Sequence, residues 1–194
     1  MKRFRHKITC KEVAAGTHPW WALHRPRDPA IFESPKFIGL TTSKKIELVY
    51  DRDSSAFVTD AMYVFRAPPE VDPYVLMGVL QSRAFLFLYR VANQGESRVI
   101  PQVKASKLQE LPVPTFRDDR LLDIRERLRI AVEAMYQFAR EIDVAKTEHQ
   151  RVVVQRQASS TEHQIDQIVY ELYGLTDEEI RIVEEATAGA GAKD

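Results

Sequence analysis

The stretch from Tyr74 to Pro114, YVLMGVLQSRAFLFLYRVANQGESRVIPQVKASKLQELPVP, constrains the fold more than any other part of the chain. Val75, Leu76, Val79 and Leu80 recur at helical spacing, Ser82 interrupts, and Phe85, Leu86, Leu88 and Tyr89 resume the pattern. A run this apolar predicts a pair of buried helices. Asp72 before Pro73 predicts the start, with an aspartate cap and proline at the first helical position. Polarity then changes abruptly. Gln94 to Arg98 reads as a loop, Val99 to Lys107 as a short helix with few apolar residues, and Leu111-Pro112-Val113-Pro114 as an extended exit, because a residue before proline is pushed out of the helical region.

The residues from Ile31 to Phe65 are rich in β-branched and aromatic types and broken by polar turns. Lys36 to Leu40, Ile46 to Tyr50 and Phe57 to Phe65 read as strands, and Trp20 to Arg27 as a short strand running into a turn. Three or four short strands joined by tight turns predict a small antiparallel or mixed sheet. The fold class expected is therefore α/β (α+β), with helices packed on that sheet. Asp51 and Asp53 read as a solvated turn rather than a metal loop, since no third ligand or loop glycine accompanies them.

Several short motifs carry a family resemblance. They are Trp20-Trp21 with His24-Arg25-Pro26-Arg27, then Ser34-Pro35-Lys36-Phe37-Ile38, Val49-Tyr50-Asp51, Leu80-Gln81-Ser82 and the exit Leu111-Pro112-Val113-Pro114. In this order they resemble the TaqI-like C-terminal specificity domain of adenine-specific DNA methyltransferases and single-chain restriction-modification enzymes, over about residues 15 to 115. Ile165 to Val183 looks like the helical tail that follows such domains. The resemblance implies a target-recognition role on double-stranded DNA. Catalysis would belong to a methyltransferase domain N-terminal to Met1 in a parent chain. S-adenosylmethionine is expected in that parent, and no cofactor in this fragment. The chain lacks the Asn-Pro-Pro-Tyr that holds the extruded adenine in such enzymes, a glycine-rich cofactor turn, and a His/Cys/carboxylate cluster with metal-ligand spacing.

Charge supports a polyanionic partner. The chain carries 28 Lys+Arg and 28 Asp+Glu. Met1 to Arg117 holds 18 basic against 11 acidic residues, or +7, and Asp118 to Asp194 holds 10 against 17, or −7. The candidate DNA-binding residues are His24, Arg25, Arg27, Lys36, Lys44, Lys45, Gln94, Arg98, Gln102, Lys104 and Lys107. Lysine and arginine neutralise phosphates, whereas Gln94, Gln102 and Arg98 have the chemistry to read base edges. Gly95 would allow close backbone approach. Pro26 stiffens the turn that holds Arg25 and Arg27 apart. Trp20 and Trp21 either stack on nucleic acid or cover the core.

Beyond Pro114 the character changes again. Asp118 to Arg156 contains neither glycine nor proline. Leu121, Leu128, Met135, Ile142 and His149 form one seven-residue series, and Ile124, Ala131, Phe138, Ala145 and Val152 a second offset by three. The pattern predicts one helix of ~38 residues, with His149 a helix-to-helix contact. Ser159 with Glu162 and Thr176 with Glu179 read as capping boxes, Leu175 with Ile180 as a staple, and Gly174 as a stop between two short helices that fold back on the rod. The expected division is 1–117 for target recognition, 118–157 for the long helix, 158–188 for a helical tail and 189–194 for a frayed end. The stripe from Leu128 to Ile142 is expected to exceed what the tail covers, leaving it for the methyltransferase domain or for a second copy in a homodimer. An alternative function follows, a protein–protein module that docks or dimerises through the long helix. The single Cys10 excludes a disulfide framework, and the absence of a signal segment or long apolar run places the chain in the cytoplasm.

Overall fold

The computed structural model describes residues 10–22, 28–93, 102–114, 116 and 118–188. Among them the chain is α+β, as expected. Strands β1 (Lys36–Leu40), β2 (Leu48–Asp51) and β3 (Met62–Phe65) form one antiparallel sheet in the order β2-β1-β3. Its register places Phe37 opposite Tyr50 and Phe65, and Gly39 opposite Leu48 and Tyr63. These residues share the inner face, where the Phe37 ring lies 5.1 Å from Tyr50 and 5.0 Å from Phe65. Gly39 is required there: a Cβ on it would fall 2.2 Å from the Tyr63 ring. The third strand is shorter than the sequence implies, and Trp20 and Trp21 lie in a turn rather than a strand.

Helix α1 (Lys11–Ala14) precedes the sheet, and α2 (Pro73–Gln81) and α3 (Arg83–Ala92) cover its inner face. Their start and break are those predicted. The Asp72 side chain accepts from the amides of Tyr74 and Val75, with Pro73 at the first position. Ser82 ends α2 in an extended conformation and caps α3 by accepting from the Phe85 amide at 3.3 Å. Asp166, from far along the chain, caps α3 as well. Its carboxylate accepts from the Arg83 amide at 2.8 Å and pairs with that guanidinium at 3.3 Å. The two helices meet at 63°, and no single helix among the described residues is long and apolar enough to cross a membrane.

After the short α4 (Ala105–Leu108) come α5 (Asp119–Val144), α6 (Glu148–Tyr173) and α7 (Asp177–Thr187). The expected 38-residue rod is not formed. The chain breaks at residues 145–147, and α5 and α6 return on one another as a helical hairpin tied by Arg127 to Glu171 at 2.9 Å. The signal for this break lies in Thr147 and Gln150. Thr147 is extended and its hydroxyl accepts from the Gln150 amide at 3.2 Å, while the Gln150 side chain accepts from the Lys146 amide at 3.2 Å. The Ser159–Glu162 pair also fits the capping-box pattern yet sits inside α6. His149 is exposed on α6 rather than within a seam. Gly174 adopts φ 65° and ends α6, and the Thr176–Glu179 capping box opens α7, both as predicted.

One core joins these parts. Leu128 and Val132 of α5 pack where α2 has Gly78, whose Cβ would lie 2.8 Å from each. The first part of the stripe expected to be left over, Leu128 to Tyr136, is therefore used inside the chain. Leu128, Ala131 and Val132 are buried, and Met135 and Tyr136 pack against the same core. The Tyr136 hydroxyl accepts from the Tyr50 amide at 2.7 Å, which closes part of the β2 edge.

Candidate nucleic-acid interface

Two consecutive residues in the last turn of α3 gather the described basic positions. The Tyr89 hydroxyl donates to the Gln102 carbonyl at 3.2 Å and accepts from the Lys104 amide at 3.0 Å. Arg90 donates to the Lys44 carbonyl at 3.2 Å and to the Ala186 carbonyl at 2.7 Å. The Val103 amide donates to the Thr41 carbonyl at 2.8 Å, and Thr41 itself binds Ala61. The β1–β2 turn, the 102–104 segment and the end of α3 therefore form one corner. Lys44 and Gln102 are exposed on it, and Lys45 and Lys104 are half-buried. Lys45 stands 4.0 Å from Glu47, and Lys107 pairs with Glu110 at 2.9 Å. Pairs this exposed contribute little and do not bar a phosphate. Tyr89 and Arg90 were not picked out from the sequence. The available signal was an arginine at the end of a helix that is otherwise almost wholly apolar.

Lys36 is the correction. Its side chain is fully buried, donates to the Phe32 carbonyl at 2.9 Å and pairs with Asp51. It cannot reach a phosphate without unfolding its end of the sheet. Asp51 is likewise not a solvated acid, for only 8% of its side chain is exposed. It accepts from the Ser55 amide at 3.2 Å and the Ala56 amide at 2.9 Å. Burial alone would raise its pKa, but the bonds from Lys36, Ala56 and Ser55 outweigh that and hold it at about 2. The bolt fastens the 52–56 turn to β1. Above it Phe57 stacks on Phe32 with ring centres 5.3 Å apart.

His24, Arg25, Arg27, Gln94 and Arg98 lie outside the described residues. Trp21 is 70% exposed and Trp20 half-buried, so neither is core. Among the described residues no group of three or more His, Cys, Asp or Glu is placed to hold a metal. Among the described residues, one cavity of about 560 Å³ is lined by α2, Leu108 of α4, Val113, Pro114 and Phe116 and is mostly apolar. Another, of about 530 Å³, has Lys45, Glu47, Thr187 and Ala188 in its lining.

A small antiparallel sheet is thus backed by helices, with Lys44, Lys45, Gln102 and Lys104 near one corner of it. Residues 4–113 match the family described as the TaqI-like C-terminal specificity domain, and the chain belongs to that family. Its role in such proteins is recognition of DNA rather than catalysis. No curated protein matches the chain.

Proposed function

We propose that this chain is the sequence-recognition part of an adenine-specific DNA methyltransferase or restriction-modification enzyme, working with a methyltransferase catalytic domain that binds S-adenosylmethionine. The observation that carries this reading is the specificity-domain match over residues 4–113, which includes the corner around Tyr89 and Arg90. The duplex backbone lies on that corner. Lys44, Lys45, Lys104 and Lys107 neutralise phosphates and fix register, and Gln94, Arg98 and Gln102 read base edges in the major groove. The methylated base must leave the stack for a closed pocket, and that pocket belongs to the catalytic domain.

The test is fluorescence anisotropy with labelled duplex at two or more salt concentrations. Non-specific binding is expected at Kd of roughly 10⁻⁴ to 10⁻⁶ M near physiological salt, weakening steeply as salt rises. Lys104→Ala and Lys107→Ala should weaken all duplexes alike. On a site selected from a random duplex pool, Arg98→Ala should cost about 1–3 kcal/mol beyond its effect on other sequences. No binding at low salt would refute the reading.

A second reading has one observation in its favour. The half of the hairpin beyond Tyr136 carries Val144 and Val153 at 73% and 41% exposure. A contact there with the catalytic domain or a second copy would make the hairpin a docking arm, and sedimentation of wild type against Val144→Asp tests it.

A further inference from the structure

Arg90 occupies an unusual place. It stands in the last turn of α3, immediately before the stretch that contains Gln94 and Arg98, and it bonds two carbonyls far away in sequence. One belongs to Lys44, in the basic turn between β1 and β2, at 3.2 Å. The other belongs to Ala186, near the end of α7, at 2.7 Å. The last carbonyls of a helix have no partner within it, and a cation there also meets the negative end of the helix dipole. Arg90 supplies both to α7 while reaching the turn with its second nitrogen. A cavity of about 530 Å³ has both elements in its lining, Lys45, Ile46 and Glu47 from the turn and Thr187 and Ala188 from the end of α7. The guanidinium acts as a fork, with one nitrogen on each carbonyl, a geometry that a lysine ammonium does not reproduce.

We propose that Arg90 is a positioning residue for DNA binding, fastening the Lys44–Lys45 turn to α7 so that the acidic C-terminal helix sets where those two lysines stand. The inference rests on the DNA-recognition reading and adds a part to it. α7 bears Asp177, Glu178, Glu179, Glu184 and Glu185 and is no surface for a polyanion, yet it shapes the surface that is. Its contribution travels through the backbone of the turn, since Arg90 holds the carbonyl of Lys44, an exposed residue, and not its side chain.

The experiment is a double-mutant cycle on duplex affinity with the full chain. It uses Arg90→Lys, Arg90→Gln, Lys44→Ala/Lys45→Ala, Lys107→Ala and their combinations, together with amide hydrogen exchange on the DNA-free proteins. Loss of two hydrogen bonds of ordinary net worth predicts that Arg90→Lys, which keeps the charge, weakens duplex binding by about 5- to 150-fold. That loss should vanish in the Lys44→Ala/Lys45→Ala background and persist beside Lys107→Ala. Exchange should quicken at Lys45, Ile46 and the last turn of α7, with α2 unchanged. Full affinity in Arg90→Lys, or a loss that adds independently to that of the two lysines, overturns the proposal while leaving DNA recognition intact. Unchanged exchange in the turn overturns it as well. If wild type fails to bind duplex, the recognition reading falls and takes this role with it, whatever the exchange shows. If Arg90→Gln lowers the melting temperature too far to assay, Arg90→Lys carries the cycle.

Discussion

Replacing Lys36 with methionine separates a structural cation from a DNA-binding one. Methionine fills most of the lysine volume, so the main loss is the ammonium that faces Asp51 and the Phe32 carbonyl. Asp51 keeps the Ser55 and Ala56 amides but becomes a buried carboxylate without a counter-charge. Breaking a buried pair from one side costs about 3–5 kcal/mol. For a chain of this length that is a fall of roughly 6–20 °C in melting temperature, at about 2–4 °C per kcal/mol. The pH dependence provides a second handle. In wild type the folded carboxyl sits at about 2 against 3.8 in the unfolded chain. A folded pKa below the unfolded one gives stability that is fully present above 3.8 and lost as pH falls toward 2. Its size is on the order of 2 kcal/mol. In Lys36→Met the folded carboxyl rises, so this acid-side loss shrinks, and Lys36→Met/Asp51→Asn recovers part of the stability by removing the stranded charge. Urea denaturation from pH 2.5 to 7 measures all three, and duplex binding of the folded variant at two salt concentrations completes the set. The salt dependence should equal that of wild type. A Lys36→Met protein that stays within about 1 kcal/mol of wild type and loses one unit of salt slope would refute the argument, because it would put the ammonium on a phosphate.

The helical half yields two further expectations. Thr147→Ala removes the cap that starts α6 and should cost about 0.5–2 kcal/mol in urea denaturation, whereas Ser159→Ala, at an exposed interior position of α6, should be neutral or slightly stabilising. Asp166→Asn keeps an acceptor for the Arg83 amide and removes a charge that burial makes costly, so stability curves against pH should separate the two proteins. Burial raises the folded Asp166 pKa above 3.8, partly offset by the Arg83 amide and guanidinium. Wild type should therefore gain on the asparagine variant as pH falls through that raised value, and hold the gain below 3.8.

What could be read from the sequence was local. Asp72-Pro73, the interruption at Ser82, Gly174 and the Thr176–Glu179 pair each carry their structural cause within four residues, and each formed as expected. The hairpin was missed because Val152 continues the apolar spacing of α5 past the break, so periodicity reported one helix where Thr147 had already begun another. Lys36 was misjudged because its partner is fixed by strand register. Asp51 stands directly across from it on β2, 15 residues on, and no local pattern reports that pairing. The corner at Tyr89 and Arg90 was hidden for a related reason. Its partners are backbone carbonyls and an amide, the same groups in every residue, so nothing in the side chains of Lys44, Gln102 or Ala186 marks them as the groups to be held.

The slot that Gly78 opens in α2 has a bearing on inheritance. Leu128 and Val132 fill it from the other side of the chain's charge boundary, so a residue within the recognition region is cut to fit two residues in the helices that follow. A graft ending at the family boundary near residue 113 would bring a foreign α2 against the resident α5, and the match of absent side chain to inserted side chains would be lost. The unit that folds together is accordingly longer than the match. Asp166 caps α3 and Arg90 holds Ala186, so it reaches through α7, and a transplant made there should keep its fold where one made near residue 113 does not.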